Sequence, residues 1–105
     1  MLFRPDDEIR VAMEKWAVFD VSASELSETT RHLVGVVEGF GRVCSPIQEF
    51  YHERMEAVTQ SGKVYELHGK PGSDPDADWV FEMWCNMNGI ENVMDVTDDY
   101  WPDDG

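Results

Sequence analysis

The sequence is poor in cysteine, since Cys44 and Cys85 are the only two among its 105 residues. Two isolated cysteines cannot build the disulfide framework on which small secreted domains depend. The first residues also lack the apolar stretch of a signal peptide, because Pro5 is followed by three consecutive acids. We therefore expect a cytoplasmic protein whose cysteines are reduced.

Long apolar runs and basic residues are also scarce. No run approaches the ~18 apolar residues that a membrane-spanning helix needs, which argues against a membrane protein. The chain has 8 basic and 22 acidic side chains, a formal net charge of −14, and Lys70 is its last basic residue. Residues 71–105 contain ten acids and no Lys or Arg. Direct binding to DNA or RNA, which depends on Lys and Arg, is excluded on this ground, and the expected partner is a basic protein surface.

Apolar and aromatic residues are present in the amounts typical of a folded protein. Hydrophobic residues make up 42% of the chain, with five Phe, four Trp and three Tyr. This content is too high for a disordered tail despite the charge. The length predicts one acidic domain over residues 1–105, with a short charged C-terminal tail at about residues 98–105.

The first two thirds of the chain predict short strands joined by turns. Ile9, Met13 and Trp16 follow the spacing of a helix, but residues 16–21 are rich in the aromatic and β-branched residues typical of a strand. We therefore expect a helical or irregular start and then a strand. A buried strand follows, with Gly35 marking a bulge or close packing. The other predictions are a tight turn at residues 39–41, a returning strand at 42–45 stopped by Pro46, a helical turn at 24–28, and a hairpin of 55–59 and 63–68 around 60–62. Residues 49–54 favour strand and helix equally.

One helix is predicted clearly. Asp74 can cap it and Pro75 fits its first turn, where Asp76 and Asp78 also favour the positive end of the helix dipole. Gly89 should end it after about residue 88, and a strand over residues 90–97 follows. The expected fold is α+β, a small antiparallel sheet of hairpins with this helix packed on it, and a small partly open β-barrel is the alternative.

The predicted helix is apolar around most of its circumference. Val80, Trp84 and Met87 form one core stripe with Ala77 and Phe81 beside it. Trp79 and Met83 share the adjoining face. That face is either a wide core contact or an exposed patch that binds a partner or a second copy in a homodimer.

Known catalytic, cofactor and metal motifs are missing. Residues 61–63 superficially resemble a phosphate loop, but Ala57 and Val64 stand where that motif needs Gly and Ser or Thr. The alternating acids at 74–78 lack the glycine and glutamate of a calcium loop. The cysteines and histidines have no metal-ligand spacing. We therefore predict no catalytic, cofactor or metal site and a protein that is not an enzyme.

Acids flank two aromatic residues near the C-terminus. Asp95, Asp98 and Asp99 precede Tyr100 and Trp101. The rings either close the core or anchor a partner whose Lys and Arg meet the carboxylates.

These features favour an inhibitor or decoy that occupies a basic nucleic-acid-binding surface of a partner protein. It resembles, in acidity and size alone, anti-defence proteins encoded by phages and mobile elements. The alternative is an assembly or dimerisation module, acidic for solubility, that binds through the Trp79 and Met83 face and the Tyr100 and Trp101 tail. The predicted partner-binding residues are Asp74, Asp76, Asp78, Trp79, Met83, Asp95, Asp98, Asp99, Tyr100 and Trp101. The decoy also predicts that Glu49, Glu53, Glu56 and Glu66 join these acids in one face.

Overall fold

The computed structural model describes residues 9–24 and 28–101, which form an α+β domain of seven strands and one helix. The predicted class is confirmed, and the sheet is open, not a closed barrel. No helix in these two ranges is long and apolar enough to cross a membrane. The elements are β1 (Arg10–Ser22), β2 (Thr30–Val37), β3 (Phe40–Val43), β4 (Ile47–Tyr51), β5 (Glu56–Thr59), β6 (Val64–His68), α1 (Pro75–Met87) and β7 (Asn92–Asp95), followed by a 3-10 turn (Thr97–Asp99).

Strand β1 is the centre of the sheet, whose order is β3-β2-β1-β6-β5-β4. It pairs antiparallel with β2 on one side. On the other side its first half pairs parallel with β6 and its last four residues pair antiparallel with β7. Only β1 and β6 run parallel, so the sheet is mostly antiparallel.

The predicted helical start at Met13 and Trp16 is wrong, because β1 is continuous from Arg10. The register between β1 and β2 shifts between Glu14 and Ala17, and Lys15 has a φ of 50°. This bulge turns both Met13 and Trp16 into the core although they are three residues apart. The bulge therefore gives this strand two core residues three positions apart, a spacing that is typical of a helix.

Glycines explain two features of the β2–β3 hairpin. A Cβ at Gly35 would lie 2.7 Å from Met13 Cγ and 2.9 Å from the Glu14 carbonyl oxygen, so the close packing predicted there is confirmed. The turn lies at Glu38 and Gly39, which both have positive φ, as two-residue hairpin turns require. The prediction placed this turn slightly late, since Gly41 already belongs to β3.

The segment that favoured strand and helix equally is resolved as β4 followed by a turn. The predicted hairpin around residues 60–62 is confirmed as β5 and β6, with Gly62 at a φ of 91°. Gln60 N–H donates a 2.8 Å bond to the carbonyl of Pro46, just before β4. The helical turn predicted at residues 24–28 includes residues outside the described ranges.

Both faces of the sheet are covered. The main core lies on the inner face and contains Met13, Trp16, Val18 and Leu33 with side chains of β5 and β6. A second cluster on the outer face joins β2 to Ala77 and Phe81 of α1. The helix is therefore fixed to the outer face.

Helix α1 begins and ends as predicted, to within one residue. The Asp74 carboxylate accepts hydrogen bonds from the backbone N–H groups of Asp76 (2.9 Å) and Ala77 (3.4 Å), and Gly89 has a φ of 64°. Strand β7 is shorter than predicted. Asp95 Oδ1 accepts from Thr97 N–H at 2.9 Å, which turns the chain into the 3-10 turn.

Candidate interaction surface

Contacts with β3 fix the position of α1. Asp76 Oδ2 accepts a 2.7 Å hydrogen bond from Gly41 N–H. A Cβ at Gly41 would lie 2.7 Å from Ala77 Cα and 2.8 Å from the Asp76 carbonyl oxygen. The helix backbone therefore rests directly on β3, and only glycine fits at the contact.

The side of α1 that faces the sheet packs through aromatic rings. Phe81 stacks on Phe19 of β1 at 4.8 Å between ring centroids, and Trp84 lies 4.7 Å from His32 of β2. Met87 is 81% exposed, so its predicted place in the core stripe is wrong. It lies about 60° around the helix from Trp84, at the edge of the buried arc, because each residue turns the helix by 100°.

One exposed flank of α1 is apolar. Trp79 is 61% exposed and Met83 41% exposed, and together with Met87 they recur every four residues. Met83 lies two turns after Asp76 and shares its side, so this flank faces the β3 edge. We call Trp79, Met83 and Met87 the apolar stripe.

The opposite flank of α1 is acidic. Asp78 and Glu82, four residues apart, are both exposed. On β7, Asp95 lies opposite Phe19, whose ring stacks on Phe81. Cross-strand partners point to the same face, so Asp95 lies on the face that α1 covers. Three carboxylates therefore occupy the β7 side of the helix.

Most acids of this region have no cationic partner. Among residues 9–24 and 28–101, which are the ones that the structure describes, only Asp74 of this region has one, Lys15 Nζ at 3.6 Å. The other seven acids, which we call the acidic surface, are Asp76, Asp78, Glu82, Glu91, Asp95, Asp98 and Asp99. All seven are exposed, and six of them lie on three successive elements: α1, β7 and the 3-10 turn. The seventh, Glu91, immediately precedes β7.

Acids elsewhere are partly neutralised. Glu56 and Glu66 lie opposite each other on β5 and β6, and both accept hydrogen bonds from Arg10 Nη1, at 3.0 and 2.9 Å. Glu56 also accepts from Arg54 Nε at 3.2 Å, and these arginines hold its pKa below the ordinary value. Glu49 accepts from the Tyr51 hydroxyl. The excess negative charge is thus less compensated around α1 and β7 than on β5 and β6.

Tyr100 contacts the domain itself. Its hydroxyl accepts a 2.7 Å bond from Arg31 Nη1, while the other nitrogens of Arg31 donate to Asp20 at 2.5 and 2.7 Å. Its ring lies 4.4 Å from that of Phe50 and stacks on His52 at 5.6 Å. These contacts with Arg31, Phe50 and His52 give Tyr100 a structural role next to the 3-10 turn.

Trp101 is held in the same way but less completely. Its ring meets Trp16 edge-on at 6.2 Å, and 37% of the residue is exposed. Of the predicted partner-binding aromatics, Trp79 is therefore the most available.

The cysteines are placed for packing. Cys44 is buried, its sulfur accepts from Leu33 N–H at 3.0 Å, and burial raises the pKa of its thiol to about 12. Burial also raises the pKa of Cys85. A nucleophilic cysteine needs a lowered pKa. No group of His, Cys, Asp and Glu side chains in the described residues is arranged to hold a metal ion.

The candidate interaction surface as a whole, which comprises the acidic surface, the apolar stripe and β7, also contains residues outside the predicted partner-binding set. Glu82, Glu91 and Met87 join the predicted residues, as do Val93 and Met94, which are 50% and 65% exposed. Glu82 follows from the four-residue spacing after Asp78. The sequence does not predict that Val93 and Met94 are exposed, because two adjacent apolar residues are equally typical of a short buried strand and of a short exposed one.

His32 links the helix to the sheet and is predicted to make stability depend on pH. The buried ring donates from Nδ1 to the Cys44 carbonyl at 2.8 Å, and Nε2 accepts from the Thr30 hydroxyl at 2.7 Å. Burial is the main cause that lowers its pKa below 6.5, although Asp20 favours the charged form. The neutral ring is therefore the folded form. As pH falls below 6.5, the unfolded state takes up the proton first and the folded state is destabilised.

We expect the stability advantage of the native protein over His32→Gln to shrink between pH 7.5 and 5.5, by at most about 1.4 kcal/mol per pH unit. Urea unfolding of both proteins at each pH measures it. Protonation of carboxylates affects both proteins alike and cancels in the difference. A difference independent of pH would contradict the assignment.

Comparisons with known proteins give no relative. No family model matches the chain, and neither a curated protein nor a solved structure is significantly similar to it.

Proposed function

We propose that this protein is a non-enzymatic acidic decoy that occupies a basic, nucleic-acid-binding surface on a partner protein. The observation that carries the proposal is the acidic surface: seven exposed acids of α1, β7, the residue before β7 and the 3-10 turn, none of which has a cationic partner among residues 9–24 and 28–101. Residues 71–105 contain no Lys or Arg that could compensate them. A concentrated field of one sign steers a protein to the opposite charge on its partner.

The dimensions of the molecule support mimicry of a duplex. Its longest extent is 41 Å. Duplex DNA of that length carries about 24 phosphates, at one charge per ~1.7 Å. The net charge of −14 is of the same order. The apolar stripe beside the acidic surface would add contacts that DNA does not make.

Free cysteines are compatible with action in a reducing compartment such as the cytoplasm. Cys44 and Cys85 form no disulfide in the structure. Disulfides are rare in the cytoplasm.

The assembly module is the second candidate, and exposure of the apolar stripe favours it. Trp and Met are enriched at protein interfaces. Such a module would bind with little dependence on salt, whereas a decoy must lose affinity as salt screens its carboxylates.

Affinity capture from nuclease-treated lysate of the source cells tests the decoy. Three proteins are compared: the native chain, the triple variant Asp78→Asn/Glu82→Gln/Asp95→Asn, and the control Glu38→Gln/Glu49→Gln/Glu53→Gln. Both variants lose three exposed charges that have no cationic partner among the described residues. Each variant also changes one hydrogen-bonded carboxylate, Asp95 in the first and Glu49 in the control, to an amide whose oxygen can still accept the bond. A decoy should capture a nucleic-acid-binding protein that salt releases. The first variant should weaken capture about tenfold or more, and the control by less than about threefold.

Two results would count against the decoy. One is a partner that stays bound at about 1 M salt, where screening is nearly complete, and is lost instead on Trp79→Ala/Met83→Ala. That result supports the module. The other is equal loss of capture in both triple variants, which would mean that net charge, and not the acidic surface, controls binding.

A further inference from the structure

Strand β7 has an open edge. It pairs only with β1 among the described residues. Val96 N–H donates to the Val18 carbonyl at 2.9 Å, and inward-bonded residues alternate along an antiparallel ladder. Within β7 the inward groups are therefore those of Met94 and Asn92. Glu91 N–H, just before the strand, also donates inward, to the Ser22 carbonyl at 3.0 Å. The backbone N–H and C=O groups of Val93 and Asp95 point away from β1, toward the free edge.

The other two edges of the sheet are protected. At β3, Asp76 accepts from the outward N–H of Gly41, and α1 lies over the strand. At β4, Pro46 precedes the strand and the register shifts between Ile47 and Glu49. Prolines, bulges and covering helices are the usual means by which proteins block edge pairing. Within the described residues, β7 has no proline, bulge or covering helix at its free edge, and only its length of four residues limits pairing there.

The side chains of β7 differ between its two faces. Val93 and Asp95 lie on one face of β7, and Asn92 and Met94 on the other, because successive residues of a strand point to opposite sides. Glu91 immediately precedes the strand, and its exposed carboxylate adds negative charge at the start of β7. One face is thus acidic, and the other presents the largely exposed Met94. A strand that alternates basic and apolar residues would match both.

A second copy of this chain is a poor match for the same edge. Antiparallel self-pairing about Val93 would set Glu91 of one copy opposite Asp95 of the other. Pairing about Met94 would set each Asp95 opposite the uncharged Val93, so neither register offers a cation to these carboxylates. Like charges directly opposite each other destabilise a strand pair. Charge complementarity therefore favours a basic occupant.

We infer that β7 accepts an extended segment of a basic partner as an added strand, with Lys or Arg beside Glu91 and Asp95 and apolar side chains beside Met94. Main-chain hydrogen bonds to Val93 and Asp95 would supply affinity, and the alternating side chains specificity. The inference deepens the proposed function and rests on it, since it specifies how the acidic surface holds its partner.

The test uses a defined probe, an eight-residue capped peptide that alternates lysine and valine. It is titrated into the isotopically labelled full chain, and hydrogen exchange is measured for each backbone amide by NMR. We expect exchange at Val93 and Asp95 to slow about tenfold or more, because their amides become hydrogen-bonded. Amides of the apolar stripe, on the far flank of α1, should change little.

A charge swap gives the matched variant. Glu91→Lys/Asp95→Lys should lose protection by the lysine–valine peptide and gain it with a glutamate–valine peptide. The spectrum of the free variant shows whether it folds. The net charge of the variant remains negative, so a preference for the acidic peptide cannot come from the overall field.

The remaining outcomes overturn the inference, in ways that can be told apart. A lysine–valine peptide that is N-methylated at alternate residues, and so lacks donors, should bind poorly. If it binds equally well, charge alone acts and strand addition fails, while the acidic decoy stands. Protection at β7 that rises with protein concentration without peptide would identify a second copy as the occupant. No binding of the peptide together with no salt-sensitive capture would overturn both proposals.

Discussion

Replacing Trp16 with alanine is expected to lower the free energy of unfolding by about 3–5 kcal/mol. Trp16 is fully buried at the centre of the inner core. Its Nε1–H donates to the Gly69 carbonyl at 3.1 Å, and its ring meets Trp101 edge-on. The substitution leaves a large cavity, removes the N–H group that donates to the Gly69 carbonyl, and removes the ring on which Trp101 packs. Such a loss is a large fraction of the stability of an ordinary small domain, about 5–15 kcal/mol.

Urea unfolding followed by circular dichroism measures this loss, with Trp79→Ala as the matched control. Trp79 is 61% exposed on the apolar stripe, so its removal should change stability by no more than about 0.5 kcal/mol. Comparable losses in the two variants would contradict the placement of Trp16 in the core and of Trp79 on the surface.

Replacing Gly41 with alanine is expected to displace α1 and to cost about 1–3 kcal/mol or more. The added methyl would lie within 2.8 Å of three backbone atoms of Asp76 and Ala77, and backbone cannot move aside as a flexible side chain can. The helix must lift from β3, which also weakens the bond between Asp76 and Gly41. Because α1 carries three of the seven acids of the acidic surface and the whole apolar stripe, capture of the partner should weaken together with stability.

Gly72→Ala is the control for this second prediction. Its added methyl would approach no heavy atom closer than 3.5 Å, an ordinary contact with Lys15. We expect stability within about 0.5 kcal/mol of the native value. Near-ultraviolet circular dichroism reports the packing of the aromatic side chains, which include Phe81 and Trp84 of α1, and should change only for Gly41→Ala. An unchanged spectrum and stability in Gly41→Ala would show that α1 does not rest on β3 as described.

The sequence predicts α1 and the β5–β6 hairpin well because their signals are local. The ends of the helix are determined by Asp74, Pro75 and Gly89, which act on backbone groups within a few residues of themselves. The hairpin turn is likewise determined by Gly62, whose positive φ lies within the turn itself. The helix ends where these residues place it. Such elements can be found without knowing what packs on them.

Strand β1 could not be predicted in the same way, because its conformation depends on distant partners. Strands β2, β6 and β7 satisfy its backbone, and the bulge at Lys15 creates the false helical spacing of Met13 and Trp16. The inward position of Tyr100 likewise depends on Arg31, 69 residues earlier in sequence.

The composition predicts which part of the chain carries the acidic surface but not which acids belong to it. The absence of bases after Lys70 indicates the region in which most of the described carboxylates have no cationic partner among the described residues. Pairing of Glu56 and Glu66 with Arg10 depends on the neighbouring positions of β1, β5 and β6, which sequence spacing does not reveal. The open edge of β7 is a property of topology alone.

Competition with DNA for the captured partner tests the decoy function most directly. A duplex of about 12 base pairs matches the 41 Å extent of the protein, at ~3.4 Å per base pair. The proposal predicts that this duplex releases the protein from its partner, that the protein in turn blocks DNA binding, and that the triple variant Asp78→Asn/Glu82→Gln/Asp95→Asn competes at least about tenfold less well. A partner that holds the protein and the duplex at the same time would contradict it.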